Sequence, residues 1–329
     1  MTPKISVGVI GAGYWGKNLL RNFDSLGSLF GFSDTSQEQR ALFGEQYSNA
    51  TVFSDLDSML DSPDISAVAI ATPAATHAGI AKKALLAGKH VFVEKPLCLE
   101  VEAGEELKKI ADDRKLTLMV GHLLLYHPAF IALKELVDCG KLGTLRYITS
   151  NRLSLGKIRR EENALWSFAP HDISMILSLT GRMPSKISTN GGSYLTPPVA
   201  DTTLSHLTFS NELQAHIFVS WLHPFKDHKL VVIGSEAMAV LDDVKQGPEK
   251  LVLYKHAVGW EGDVPTVNKA DAEPIPYETS EPLRAECQHF LDCIASGELP
   301  RSDAAEGLRV LTVLDGCQAS LTQGTPIEL

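Results

Sequence analysis

Three groups of residues in this chain have types and spacing suited to chemistry. The first is Gly11-Ala12-Gly13-Tyr14-Trp15-Gly16, which follows the apolar run 5–10 and opens a helical pattern. A GxGxxG turn between a strand and a helix suits a dinucleotide pyrophosphate. Gly11 permits the tight turn, Gly13 lets phosphate approach the backbone, and Gly16 lets helix and strand pack closely. The amides and positive end of the helix then meet the anion. Tyr14 and Trp15 flank the turn and are read as cofactor contacts, with plain packing as the alternative for Trp15. Asp34 ends the next strand, 18 residues beyond Gly16. A carboxylate there accepts hydrogen bonds from the adenosine ribose hydroxyls and repels a 2′-phosphate, so NAD is expected rather than NADP. Thr35 and Ser36 carry no cation to reverse that choice. A helix cap is the other use of Asp34.

The second group sits at two further strand ends. Thr72, Pro73, Thr76 and His77 follow the strand 66–71, and Glu94-Lys95-Pro96 follows the strand 90–93. Ligands of open α/β sheets bind outside the carboxyl ends of the strands. These residues are therefore expected at the cofactor, with Lys95 toward its nicotinamide end. A solvated loop lysine is the plainer alternative, and Pro96 is a candidate for a cis bond. His122 and Tyr126 follow a fifth strand, 116–120, and are candidates for nicotinamide and substrate contacts, with packing equally open.

The third group is Asn151-Arg152-Leu153-Ser154-Leu155-Gly156-Lys157-Ile158-Arg159-Arg160-Glu161-Glu162-Asn163 and the helix after it, with Trp166 and His171. Lys plus Arg number 30 against 40 Asp plus Glu, a net charge of −10. Four cations in one short segment of an acidic chain suit a diphosphate, because guanidinium binds phosphate oxygens in pairs. A solvated charge run balanced by Glu161 and Glu162 is the alternative. Arg152, Lys157, Arg159, Arg160, Asn163, Trp166 and His171 are the candidate substrate contacts.

Positioning these residues takes alternating strands and helices over 5–120, which implies a doubly wound parallel sheet. A β-rich stretch from 144 to 254 implies an antiparallel or mixed sheet. Helices are expected near 128–139, 168–180, 282–296 and 304–322. The domain reading is 1–124 for the nucleotide domain and 125–329 for a substrate and oligomerisation domain. Hydrophobic residues at 44% suffice for two cores. The acidic balance argues against nucleic acid. No apolar run approaches the ~18 residues of a membrane span, and the N-terminus does not read as a signal peptide. The five scattered cysteines suit a reducing cytoplasm, and no metal site is expected.

GxGxxG, the strand-end Asp34, the Thr72–His77 segment and Glu94-Lys95-Pro96, before a β-rich second domain, resemble the glucose–fructose oxidoreductase/inositol dehydrogenase family along essentially the whole chain. The resemblance implies a Rossmann domain and an α/β domain with an open, mainly antiparallel sheet. It implies NAD(P)-dependent oxidation of a sugar or polyol hydroxyl, with Lys95 and His171 as the catalytic pair. Many relatives have an Asp four residues before the histidine, where this chain has Ser167. Residues 151–174 look like the branch that oxidises C3 of UDP-N-acetylglucosamine, whose keto product goes to a partner aminotransferase. A uronic-acid sugar nucleotide, a free polyol such as inositol, or a non-catalytic NAD-binding regulator are the alternatives. An open sheet face is normally covered by another copy, so a dimer or tetramer is expected.

Overall fold

The computed structural model describes residues 5–329. They form two compact units.

The first unit holds β1 (Val7–Ile10), α1 (Gly16–Ser25), β2 (Leu29–Ser33), α2 (Gln37–Gln46), β3 (Thr51–Phe53), α3 (Leu56–Leu60), β4 (Ala67–Ile70), α4 (His77–Leu86), β5 (His90–Glu94), α5 (Val101–Arg114) and β6 (Leu118–Gly121). The strands run parallel in the order β3-β2-β1-β4-β5-β6. β1, β4 and β6 are buried at every position, as strands covered on both faces must be. β3 lies outside the expected elements: three residues, two of them exposed, leave no apolar run to read.

The second unit opens with α6 (Pro128–Asp138) and β7 (Leu145–Leu155), followed by α7 (Ala164–Thr180). The strands β8 (Lys186–Gly192), β9 (Thr202–Thr208), β10 (Gln214–Ser220), β11 (Leu222–Gly234), β12 (Met238–Asp242) and β13 (Leu251–Tyr254) come next. A hairpin, β14 (Ala257–Glu261) with β15 (Val264–Asn268), stands as its own two-stranded sheet, and β16 (Glu273–Pro274) returns to the main one. That main sheet has nine strands, with β17 (Ile327–Glu328) at one edge. Its pairs are antiparallel apart from β7–β10. α7 packs on this sheet against β10, β7 and β9.

The two contiguous spans 1–124 and 125–329 are corrected in one respect. The first unit runs through Tyr126 and also takes Glu281–Leu311. Those residues include α8 (Pro282–Ser296) and the start of α9 (Ala304–Gln323). Phe290 of α8 packs edge-on against Phe92 of β5, with ring centroids 5.8 Å apart. Glu281, just before α8, pairs with Arg21 of α1. The apolar stripe of α8 needs a face to bury, and the parallel sheet supplies it at long sequence distance.

Candidate functional site

The glycine turn is built as its spacing requires. Gly11 has φ +90, and a Cβ there would stand 2.9 Å from the Ala71 carbonyl oxygen. A Cβ on Gly16 would sit 1.9 Å from the Gly11 carbonyl oxygen, so only glycine closes the turn. A Cβ on Gly13 would meet nothing within 4 Å. Steric packing of the protein therefore does not explain glycine at 13, whereas room for a phosphate does. The α1 amides begin here, and no acidic side chain occupies the first turn of the helix. The turn fits a dinucleotide.

Tyr14 is 83% exposed, with Lys17 over its ring. Trp15 is half-buried and its indole N–H donates to Glu94 of β5. The Asp34 carboxylate accepts from the Ala12 amide at 2.7 Å and from the Ser36 amide at 2.7 Å. It ties the β1–α1 turn to the β2–α2 turn, and Thr35 between them is exposed. Ser36 rather than Asp34 caps α2.

Thr72 and Thr76 pair through their hydroxyls at 2.7 Å beside exposed Pro73. The expectation that His77 touches the cofactor is corrected. It is buried, with Nδ1 2.8 Å from the Pro96 carbonyl and Nε2 2.9 Å from the Thr72 carbonyl. The ring bridges two strand-end loops, and burial keeps its pKa below the ordinary value. The Lys95–Pro96 peptide is cis, and Lys95 is half-buried at the end of β5.

β5 and β6 are in register at Glu94 and Gly121, so Lys95 and His122 follow at neighbouring strand ends. His122 is nevertheless enclosed at 1% exposure, with both ring nitrogens buried. Burial and then Lys95 push its pKa down to about 3, so the ring is neutral. The ring is thus enclosed behind the strand end, and neither of its nitrogens is presented at the surface. Tyr126 is enclosed likewise. Its hydroxyl pairs with Ser302 at 3.2 Å, and burial pushes its pKa up.

Glu94, at the end of β5, is a carboxyl whose ionisation falls near neutrality. Burial raises its pKa to about 7, against the opposing pull of the Trp15 N–H and Lys95. Glu286, one turn before Phe290 on α8, is 1% exposed with neither carboxyl oxygen hydrogen-bonded. Burial, then Glu94, holds it well above the carboxylate range. Glu286 was missed in sequence. An acid inside an apolar helix stripe is the signal that would have found it.

In the second unit, α7 begins four residues earlier than the sequence suggests. The Asn163 side chain accepts from the Trp166 amide as the cap, and Pro170 lies inside the helix. Asn163 Nδ2 and Trp166 Nε1 both donate to Gln318, at 2.8 Å and 3.1 Å. Asn163 thus caps α7 through its side-chain oxygen and holds Gln318 through its amide nitrogen. The phosphate role of Arg152 is also corrected. Its Nε donates to Asp172 at 2.9 Å and its Nη2 at 3.1 Å, in a pair that is almost fully buried. Ser150 adds a third bond to Asp172 at 2.6 Å. This cluster fixes the rotation of α7 on β7, and with it the half-buried His171 next to Asp172 in sequence. Lys157, Arg159 and Arg160 remain exposed in the loop before α7, with Arg159 paired to Glu162.

Residues 5–122 match the oxidoreductase family with an NAD-binding Rossmann fold, and residues 130–240 match the GFO/IDH/MocA C-terminal domain. The chain is 28% identical over 305 residues to UDP-N-acetylglucosamine 3-dehydrogenase of Acidithiobacillus ferrooxidans, covering 92% of this chain and 93% of that protein. A structure of that enzyme superposes with TM-score 0.85 at 26% identity, over 97% of this chain and 98% of the other. A structure of a putative oxidoreductase from Magnetospirillum magnetotacticum MS-1 is 30% identical, with TM-score 0.83, over 95% and 99%. The NAD-linked scyllo-inositol 2-dehydrogenase of Bacillus subtilis is 25% identical over 285 residues, 82% of this chain and 80% of that protein. The chain belongs to the GFO/IDH/MocA family of oxidoreductases, and its cofactor is NAD.

Proposed function

We propose that the chain oxidises a secondary hydroxyl of a UDP-sugar, C3 of UDP-N-acetylglucosamine, to the 3-keto sugar nucleotide. The observation that carries this reading is the cationic loop directly before the His171 helix. It adds to the 28% identity with an enzyme of that name over nearly the whole chain. Lys157, Arg159 and Arg160 are exposed there, in a chain of net charge −10. Exposed guanidinium and ammonium groups suit a diphosphate, which a free polyol lacks.

Bound NAD supplies the acceptor for the hydride from the alcohol carbon. His171 is assigned as the base that removes the hydroxyl proton, since an imidazole ionises near pH ~6.5 in water. Lys95 is assigned to hydrogen-bond the developing carbonyl oxygen. The two roles can exchange, because an amine beside a cationic ring loses its proton more readily. The Asp172–Arg152 pair holds the His171 helix, and the Thr72–His77–Pro96 contacts hold the loop that carries Lys95. The keto product suits an aminotransferase as its consumer. A second copy covering the nine-stranded sheet is the assembly we infer.

Inositol oxidation is the second reading, favoured by the scyllo-inositol 2-dehydrogenase similarity. Incubating the protein with NAD and a panel of UDP-sugars and inositols, while following NADH absorbance, separates the two. Trapping the ketone and locating it by mass spectrometry assigns the carbon. Neutralising Lys157, Arg159 and Arg160 together lowers affinity for a UDP-sugar by about tenfold or more, each charged hydrogen bond being worth ~1.5–3 kcal/mol. Inositol turnover would be left unchanged. Oxidation of inositols alone defeats the sugar-nucleotide reading.

A further inference from the structure

The carboxyl end of β2 holds a cation that the dinucleotide fingerprint does not include. Arg40 lies one turn beyond Ser36, the cap of α2. Helix side chains lean toward the N-terminus, so Arg40 reaches back over the strand end. Its Nη1 donates to the Asp34 carbonyl at 2.5 Å and to the Thr35 carbonyl at 3.2 Å. The Asp34 carboxylate is held separately, by the amides of Ala12 and Ser36. Among the described residues, the ion pairs do not include one between Arg40 and that carboxylate. An anion and a cation therefore stand at one strand end, each held by backbone groups and not in direct contact with each other. A ribose hydroxyl suits the carboxylate, whereas a 2′-phosphate is repelled by it and attracted by a guanidinium.

We propose that Arg40 is a specificity-determining residue for the cofactor: Asp34 alone excludes the 2′-phosphate, and Arg40 is a preformed partner for that phosphate once the carboxylate is gone. This rests on the assignment of the glycine turn to NAD. A single exchange, Asp34→Ser, then moves the preference from NAD toward NADP without importing a cation. Serine retains a hydroxyl that can accept from one of the two amides.

The test measures dissociation constants of NAD and NADP by calorimetry, without sugar, for the native protein, D34S, R40L and D34S/R40L. The native protein is expected to favour NAD. D34S raises the NADP-to-NAD affinity ratio by about tenfold or more, the size of one charge-assisted hydrogen bond to phosphate. D34S/R40L returns the ratio to near its native value. A D34S protein that binds NAD with an unchanged ratio overturns the proposal, as does a double variant that keeps the gain. Should D34S not fold, D34N and D34N/R40L decide in its place: a gain in D34N that is lost in D34N/R40L supports the role of Arg40, and a gain that survives R40L overturns it. A native protein that binds neither dinucleotide overturns the cofactor assignment itself, which is a separate failure.

Discussion

Replacing Asp172 by asparagine tests how the second unit holds its histidine. The Asp172 carboxylate is fully enclosed and accepts three hydrogen bonds, two from Arg152 and one from Ser150. Asparagine keeps the shape and removes the charge. Its amide group would set donors against the donors of Arg152, a residue only 8% exposed. His228, 3.5 Å from Arg152 Nη1, brings no negative charge in place of the carboxylate; burial and then Arg152 push its pKa down to about 4, so the ring is neutral above that. Breaking a buried pair by removing one partner costs about 3–5 kcal/mol. With a urea m-value of ~3 kcal/mol/M, the midpoint of unfolding should fall by roughly 1–1.7 M. Urea titration followed by circular dichroism reads this directly. The double exchange R152M/D172L replaces the pair by apolar groups and should recover most of the loss. A D172N midpoint within about 0.3 M of native would show that the pair is solvated and does not anchor α7. A double variant as unstable as D172N would show that shape matters and charge does not.

Other outcomes follow from the same geometry. Gly13→Ala should fold normally, since its Cβ meets nothing within 4 Å, yet lose NAD affinity by calorimetry; Gly16→Ala should lose stability, its Cβ lying 1.9 Å from the Gly11 carbonyl oxygen. Glu94 binds its proton more tightly folded, at about 7 against an ordinary 4.5. Its contribution is therefore full below pH 4.5 and is lost as pH rises to 7, by about 3 kcal/mol at ~1.36 kcal/mol per unit. Melting of the NAD-free protein across pH 4.5–8 should show that slope, and E94Q should remove it. A single exchange His171→Ala should cut turnover by about 10²–10⁴-fold with NAD affinity retained, measured by steady-state kinetics and calorimetry. Full activity in H171A would remove His171 from the mechanism.

What the sequence by itself determined is the local chemistry. GxGxxG between an apolar strand and a helix specifies a phosphate turn: Gly11 by its positive φ, Gly16 by the Gly11 carbonyl five residues away, and Gly13 by the room a phosphate needs. Asp34 at a strand end, the proline after Lys95 and the alternation of strands with helices are equally short-range. Alternating apolar residues likewise announced the antiparallel sheet. Tertiary structure alone decided which polar groups are available. Arg152 reads as a phosphate ligand until Asp172, on another element, takes its guanidinium. His77, His122 and Tyr126 read as contacts until burial and packing enclose them. Residues 281–311 join the first unit because the apolar face of α8 is buried against a strand nearly two hundred residues earlier. Arg40 reaches Asp34 only through the direction in which a helix projects its side chains. Periodicity and spacing act along the chain, whereas burial and charge pairing depend on what lies across from a residue in space.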